Sequence, residues 1–250
     1  FMLSLLSAAA ILAGLAQQLK IDLSGGQIGG EGLPEIGQDM ILQTGLLLGL
    51  LVLLVLLITS FFTAGAIGMA REAMRRGRAS TGTLWPTGRA HTAGLFAANI
   101  LVGLITAAGL LLLLPGIALS GSQAWAELPL VICIILLIIY ALIVSLALSA
   151  APYALVLEGL GPVQAIMASV EFFIYNKFDV LILWLVVLAL SAGVQMAAGA
   201  FAAEGPAATY IAAAAGLVEL VVLSPLSTLW WTRLYMSRRG LLEEEVMDPW

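Results

Sequence analysis

Few side chains in this sequence can carry chemistry, and those that can stand far apart. His91 is the only histidine and Cys133 the only cysteine. Neither has a second ligand at metal-binding spacing, so no metal site and no disulfide within the chain is expected. The glycine-rich stretch SGGQIGGEGLPE follows no strand and opens no βα unit, so it reads as an outer loop and not as a phosphate cradle. Intramembrane proteolysis needs paired aspartates, a Ser with His or Lys, or HExxH, and the apolar segments contain none of these. No cofactor is expected. What remains is one carboxylate, Glu219, within the apolar stretch GLVELVVLSPL. A lone acid there can exchange a proton, bind a cation or act as a hydrogen-bonding group, and the elements around it decide which.

Those elements follow from composition. Of the 250 residues, 62% are hydrophobic and 10% charged, and the mean hydropathy is +1.08. Soluble chains carry about 45–50% apolar and about 25% charged residues, so this is the composition of an integral membrane protein. The charges leave uncharged runs at 1–19, 40–70, 92–126, 128–157, 180–203 and 205–232, the last broken only by Glu219. Each reaches or nearly reaches the ~20 residues that cross ~30 Å of hydrocarbon. The expected fold is all-α, a six-transmembrane-helix bundle forming one domain over 1–240. Its spans fall at about 1–19, 40–66, 92–118, 128–152, 180–203 and 207–233, and an acidic cytoplasmic tail follows at 241–250. Residues 1–19 lack a basic leading segment and a clear cleavage site, so they read as a span and not as a signal peptide.

Basic residues set the orientation. Arg71, Arg75, Arg76, Arg78 and Arg89 follow the second span, Lys177 lies between the fourth and fifth, and Arg233, Arg238 and Arg239 follow the sixth. Nine of the ten Lys and Arg thus share one side. By the positive-inside rule that side is cytoplasmic, both termini are inside, and the five arginines after the second span face lipid headgroups. A net charge of −5 and a pI near 4.8 argue against nucleic acid as a partner. Two cytoplasmic connections read as interfacial helices. At 66–77, Glu72 and Arg76 stand at i, i+4 and Gly77 gives a stop, with a bend expected near Gly65 and Gly68. At 160–175, Pro162 opens a helix in which Leu160, Val163, Ile166, Met167, Val170, Phe173 and Ile174 form one apolar stripe. A span, an interfacial helix and a returning span thus occur twice, which suggests an old duplication. Trp230, Trp231, Tyr235 and Trp184 on the inner side, and Trp125 and Tyr210 on the outer, read as anchors in the headgroup zone.

Within this frame Glu219 lies ~18 Å from the outer end of the sixth span, near the bilayer midplane. An ionised carboxylate there costs at least several kcal/mol, which favours the neutral form unless a cation or water reaches it. Thr106, Tyr140 and Ser191 fall at matching depths, with Gln195 about one turn further out, as hydrogen-bond partners. Pro225, having no N–H, frees the carbonyl of Val221 one turn back. Small residues recur every four positions at Ala189, Gly193 and Ala197, at Ala208, Ala212 and Gly216, and at Gly45 and Gly49. Such faces let helices approach closely in lipid, so the fifth and sixth spans are expected to pack through them.

Three segments, SFFTAGAIGMAREAMRRGRAST, SAAPYALVLEGLGPVQAIMASVEFFIYN and LSPLSTLWWTRLYMSRR, resemble in that order three marks of the membrane-domain superfamily named after glycerophosphoryl diester phosphodiesterase. The resemblance covers about residues 1–239 and implies a stand-alone six-helix prokaryotic membrane protein of unknown function. The chemistry behind the superfamily's name belongs to a separate soluble barrel with acidic and histidine metal ligands, which no segment of this chain supplies. Such proteins often carry basic residues before the serine corresponding to Ser169, whereas Ile166, Met167 and Ala168 precede it here. Segments between spans are shorter than about 30 residues, too small for a catalytic core of their own. The expectation is a non-enzymatic protein of the plasma membrane, an accessory, scaffold or lipid-organising component with membrane lipids and other membrane subunits as partners. The alternative is a small transporter or permease subunit with Glu219 as an intramembrane proton or ion site.

Overall fold

The structure is a computed structural model and describes residues 38–119, 127–201 and 206–242. Every regular element among them is helical. In order they are α1 (Gln38–Arg76), α2 (Thr81–Ala108), a 3-10 turn (Gly109–Leu113), α3 (Leu114–Leu119), α4 (Glu127–Leu148), α5 (Ala151–Glu158), α6 (Pro162–Tyr175), α7 (Lys177–Phe201), α8 (Pro206–Val218), a π-helical turn (Glu219–Leu223) and α9 (Ser224–Arg238). Among the described residues, five helical stretches are long and apolar enough to cross a membrane: Gly45–Arg76, Thr81–Gly116, Leu128–Glu158, Lys177–Ala200 and Tyr210–Arg238. The expected span at 1–19, most of the loop after it, and the acidic tail beyond Leu242 lie outside the described residues.

The chain divides into two compact units, Phe1–Val55 and Leu56–Trp250. The described part of the first is the start of α1, where Leu46, Leu47, Leu50 and Leu51 are exposed apolar side chains.

In the second unit the helix ends are set locally. Arg75 and Arg76 occupy the last turn of α1, where positive charge complements the helix dipole. Gly77 then takes a φ of 67°, a left-handed conformation that glycine adopts without steric cost. Ser80 caps α2 by accepting from the Gly82 N–H at 3.1 Å. Its own N–H donates to Glu72 Oε2 at 3.1 Å, so α1 and α2 are tied across the turn.

One expectation is corrected here. α1 is one continuous helix through Gly65 and Gly68 to Arg76, so 66–77 is not a helix of its own. The reason is packing: a Cβ at Gly65 would come within 2.7 Å of Leu84, and one at Gly68 within 2.7 Å of Thr87. These glycines let α2 approach α1 closely, as small residues do at helix contacts in lipid. Fully buried Ser60 reinforces the contact by accepting from Asn99 Nδ2 at 2.9 Å. Without a separate first interfacial helix, the suggested duplication loses one of its two copies. α2 starts at Thr81, ahead of the expected span at 92–118.

The core gathers where α5, α6 and the end of α9 meet. α4 stops before Pro152, and Ala154 N–H bonds back to Ala150 to start α5. In α5, Ala151 and Tyr153 to Leu157 are all buried. Ile67, Leu95, Phe172, Val180, Trp231, Tyr235 and Met236 surround them. Trp231 and Tyr235, expected as headgroup anchors, are therefore core residues at 8% and 1% exposure. The Trp231 ring stacks on Tyr153 at 6.2 Å between centroids, and Tyr235 lies against Phe172 at 4.9 Å. Amphipathic rings suit a headgroup belt, but they suit a packed helix end equally when the polar tip finds a partner.

α6 forms as Pro162 and its spacing imply, yet its buried face is Ala165, Ser169 and Phe172. Ser169 is fully buried and donates to the Ala147 carbonyl at 2.7 Å, which fixes α6 to α4. The expected apolar stripe divides: Val163, Met167 and Ile174 stay exposed, a surface suited to lying at a lipid boundary.

Candidate functional site

Glu219 opens the π-helical turn. The Ser224 N–H bonds the Glu219 carbonyl five residues back, and the extra residue falls just before Pro225, whose ring would otherwise press on the Val221 carbonyl. On this turn Glu219 Oε2 accepts from Gln195 Nε2 of α7 at 3.0 Å. Glu219 is half-buried and Gln195 exposed.

The other expected partners go elsewhere. Thr106 donates to its own helix at the Val102 carbonyl, 2.8 Å away. Tyr140 donates to the Ile105 carbonyl at 2.6 Å. That carbonyl lacks its usual helical donor because the Gly109 N–H turns to Ala107 and Thr106 as the 3-10 turn begins. The Tyr140 ring covers Gly109, where a Cβ would sit 2.5 Å from it. Ser191 is buried, and its Oγ has no hydrogen-bond partner among the described residues. Of the five residues matched by depth, the structure thus joins Glu219 to Gln195 alone.

The small-residue faces do not make the expected contact. A Cβ at Gly193 or Gly216 would meet nothing within 4 Å, and Ala189, Ala197 and Ala212 are exposed. Gly45 and Gly49 are equally open, and the Ala208 side chain lies outside the described residues. α7 does neighbour α8 and the π turn, but a carboxylate–amide pair, not a glycine seam, is the polar link between them.

A second polar constellation, absent from the expectations, lies at the end of α9. Tyr235 donates to Glu158 Oε1 at 2.6 Å. Arg239 Nε sits 3.5 Å from the same oxygen, and the guanidinium also lies 3.9 Å from Glu171 and over the Tyr235 ring at 5.8 Å. Arg239 further approaches the Ala168 carbonyl at 3.5 Å. Beside it, Arg238 pairs with Asp179 at 2.7 Å. These groups bind the last helix to the ends of α5, α6 and α7. Their signal in sequence was Glu158, Glu171 and Asp179 recurring on the side that carries Arg238 and Arg239.

The third feature is basic. Of the five arginines expected at headgroups, Arg71, Arg75 and Arg76 line one groove between α1 and α2, together with His91. Arg76 pairs with Glu72 at 3.1 Å. Arg78 borders an adjoining open cleft, and Arg89 is exposed outside both. Cys133 is buried and packs beside Gly116, where a Cβ would lie 3.1 Å from its Sγ.

Every regular element among the described residues is helical, five of their stretches are long and apolar enough to cross a membrane, and arginines cluster at the ends of α1 and α9, which is consistent with a membrane protein. The chain belongs to the family described as a domain of unknown function, DUF7847, which matches residues 4–236. It is similar to an uncharacterized protein of Archaeoglobus fulgidus, 31% identical over 108 residues. That match covers 42% of this chain and 35% of the relative, about a third of the relative's length. No solved structure matches the chain.

Proposed function

We propose that the chain is a non-enzymatic, multi-pass protein of the plasma membrane that acts as an accessory or scaffold component and organises the lipid around it. Both termini are cytoplasmic, and its partners are membrane lipids and other membrane subunits. The observation that carries this reading is the outward apolar surface of the helices. On α4 alone Val131, Ile132, Ile135, Leu136, Ile138, Ile139 and Ile143 are each roughly half exposed. In water such a surface drives aggregation, whereas in hydrocarbon it is solvated. The ion pairs at the end of α9 support a structural role, since they tie helix ends together. The likeness to the glycerophosphoryl diester phosphodiesterase membrane domains belongs to the same proposal.

Native purification followed by identification of bound proteins and lipids tests the role: a recurring membrane subunit or retained lipid supports it, and a chain that purifies with neither counts against it. Orientation is tested with cysteines placed at Gly30, Ser122 and Ser80 in a Cys133→Ser background. An impermeant thiol reagent on intact cells should label the first two and spare the third; the reverse pattern refutes cytoplasmic termini.

One observation favours transport as a second reading: Glu219 sits on a π turn, a distortion frequent at functional sites, and is held by an amide and not by a cation. Under that reading Glu219→Gln leaves the fold intact and abolishes proton-coupled flux in liposomes. A wild-type flux that survives the substitution removes Glu219 from the path.

A further inference from the structure

We infer that a stripe of hydroxyl groups on α9 is a proton relay, joining the Glu219 carboxyl to Glu158 at the helix end that carries Arg238 and Arg239. The inference rests on the second reading above, in which Glu219 exchanges a proton, and names the route that proton takes.

The stripe begins with the π turn. In an unbroken α-helix the residue one turn after Glu219 is Leu223, but the extra residue of the π turn gives that place to Ser224, whose N–H bonds the Glu219 carbonyl. Thr228 and Thr232 follow at successive turns. Their side chains mark the alignment: Thr228 Oγ1 donates to the Ser224 carbonyl at 2.9 Å, and Thr232 Oγ1 to the Thr228 carbonyl at 2.7 Å. Ser224 is exposed, Thr228 half-buried and Thr232 fully buried, so the stripe passes from the open flank into the core. The Tyr153 hydroxyl, reaching across from α5, interacts there with the Thr228 side chain. Tyr235, three residues after Thr232 and 1% exposed, ends the route by donating to Glu158 Oε1 at 2.6 Å. The Glu158 side chain is 25% exposed and lies 3.5 Å from Arg239 Nε. It is therefore a proton acceptor in touch with water and beside a fixed positive charge.

Helical hydroxyls that donate to their own carbonyls keep lone pairs free to accept. One helical turn separates successive hydroxyls by ~5.4 Å, a gap that one water spans with two hydrogen bonds of ~2.8 Å. A proton leaves the Glu219 carboxyl for the first such water, and each member of the stripe passes its own proton on as it receives one. In the last transfer the Tyr235 hydroxyl proton moves to Glu158 Oε1 while Tyr235 takes one from the side of Thr232. Only O–H bonds form and break, and no further reactant is needed.

The test uses the full chain in liposomes and follows hydrogen–deuterium exchange of the Glu219 carboxyl by infrared difference spectroscopy, with the Glu219→Gln variant identifying its band. Thr228→Val/Thr232→Val, which keeps side-chain shape and removes two hydroxyls, should slow the exchange roughly tenfold. Thr228→Ser/Thr232→Ser should restore it, and Ser237→Ala, off the stripe, should leave it unchanged. If the double valine variant does not fold, Thr232→Val and Thr232→Ser decide alone. Unchanged exchange in a folded valine variant would overturn the relay, and so would a wild-type protein without the band, since Glu219 would then hold no proton to pass. Proton flux into the same liposomes, driven by a potassium–valinomycin potential, separates the relay from the transport reading. A flux lost in Glu219→Gln but kept in the valine variant would overturn the relay alone. No wild-type flux, with exchange still slowed by the valines, would refute transport and leave the stripe as the route by which Glu219 exchanges its proton.

Discussion

Glu158 and Glu219 each reach across to a neighbouring helix, but the regions that hold them differ in nearly every physical respect. Glu158 ends a fully packed helix and meets a phenol and a guanidinium at 2.6 and 3.5 Å, with Phe172, Trp231 and Tyr235 buried around it. Glu219 opens a distorted turn, meets one amide at 3.0 Å, and has Leu220, Val221 and Val222 exposed beside it. The difference is one of redundancy. At the end of α9, apolar packing, ring stacking and ion pairs all fix the same geometry, so each polar group acts within an arrangement that the others maintain. On the α7–α8 flank one interhelical side-chain hydrogen bond is found among the described residues, beside open helix faces, so little depends on it structurally.

The largest expected effect follows from that redundancy. Tyr235→Ala removes a ring at 1% exposure together with the Glu158 hydrogen bond, and should cost about 3–5 kcal/mol as a buried aromatic truncation. Tyr235→Phe keeps the ring and should cost only about 1–2 kcal/mol. Chemical or thermal unfolding in nanodiscs measures both. If the two variants prove equal, the hydroxyl and not the packing holds this end, and the comparison fails.

Glycines sharpen the contrast next. A Cβ at Gly68 would lie 2.7 Å from the Thr87 side chain, so Gly68→Ala should destabilise by about 1–3 kcal/mol through overpacking. Gly193 has nothing within 4 Å of a Cβ, and Gly193→Ala should be neutral or stabilising by up to ~1 kcal/mol, the helix preference of alanine over glycine. A substantial loss at Gly193 would show that a neighbour covers the open flank in the assembled protein.

Those glycines also show what the sequence could reveal. The helical class, the stop at Gly77, the start at Pro162 and the break around Pro225 were legible, because charge spacing, glycine and proline act locally on the backbone. Which face of a helix meets a neighbour is a property of the whole packing. Spacing therefore marked Gly193 and Gly216 as contacts, while close approaches fall at Gly65, Gly68, Gly88 and Gly109. Depth along a span gave Gln195 correctly as one of Glu219's neighbours, but depth carries no azimuth. Thr106 and Tyr140 matched in height and point to other carbonyls. Trp231 and Tyr235 were placed at the right end of the helix and on the wrong side of the surface. Glu158 and Glu171 recur on the side that carries Arg239, but their joining into one cluster was illegible because its members are remote in the chain, and each one alone looks like an ordinary charge at a membrane border.

A smaller effect separates the core of the α9 cluster from its rim. Arg238 and Asp179 are 2.7 Å apart, with side chains 51% and 34% exposed. Arg238→Gln should therefore cost no more than about 1 kcal/mol, and less in high salt, because water and ions screen the pair. Arg239, 29% exposed and shared between two carboxylates, should cost more when replaced by glutamine. Equal losses in unfolding experiments at low and high salt would mean that burial does not grade this cluster.

The smallest expected change is at Glu219. Glutamine keeps the length of the side chain and an oxygen that accepts from Gln195 Nε2, so Glu219→Gln should leave stability within about 0.5 kcal/mol of wild type, as surface substitutions usually do. Leucine removes the acceptor, but Gln195 is exposed and Ser191 makes no hydrogen bond among the described residues that could be lost with it. The cost then reduces to one interhelical hydrogen bond, on average about 0.6 kcal/mol in a membrane. The Gln195→Leu variant and the Glu219→Leu/Gln195→Leu double variant close a cycle that isolates the pair. A coupling near ~0.6 kcal/mol confirms a flank held by a single bond. A coupling of several kcal/mol would show Glu219 to be as deeply integrated as Glu158 and would end the contrast between the two regions. A coupling near zero, together with loss of a proton flux in Glu219→Gln, would mean that the carboxylate is kept for its proton and not for the contact it makes.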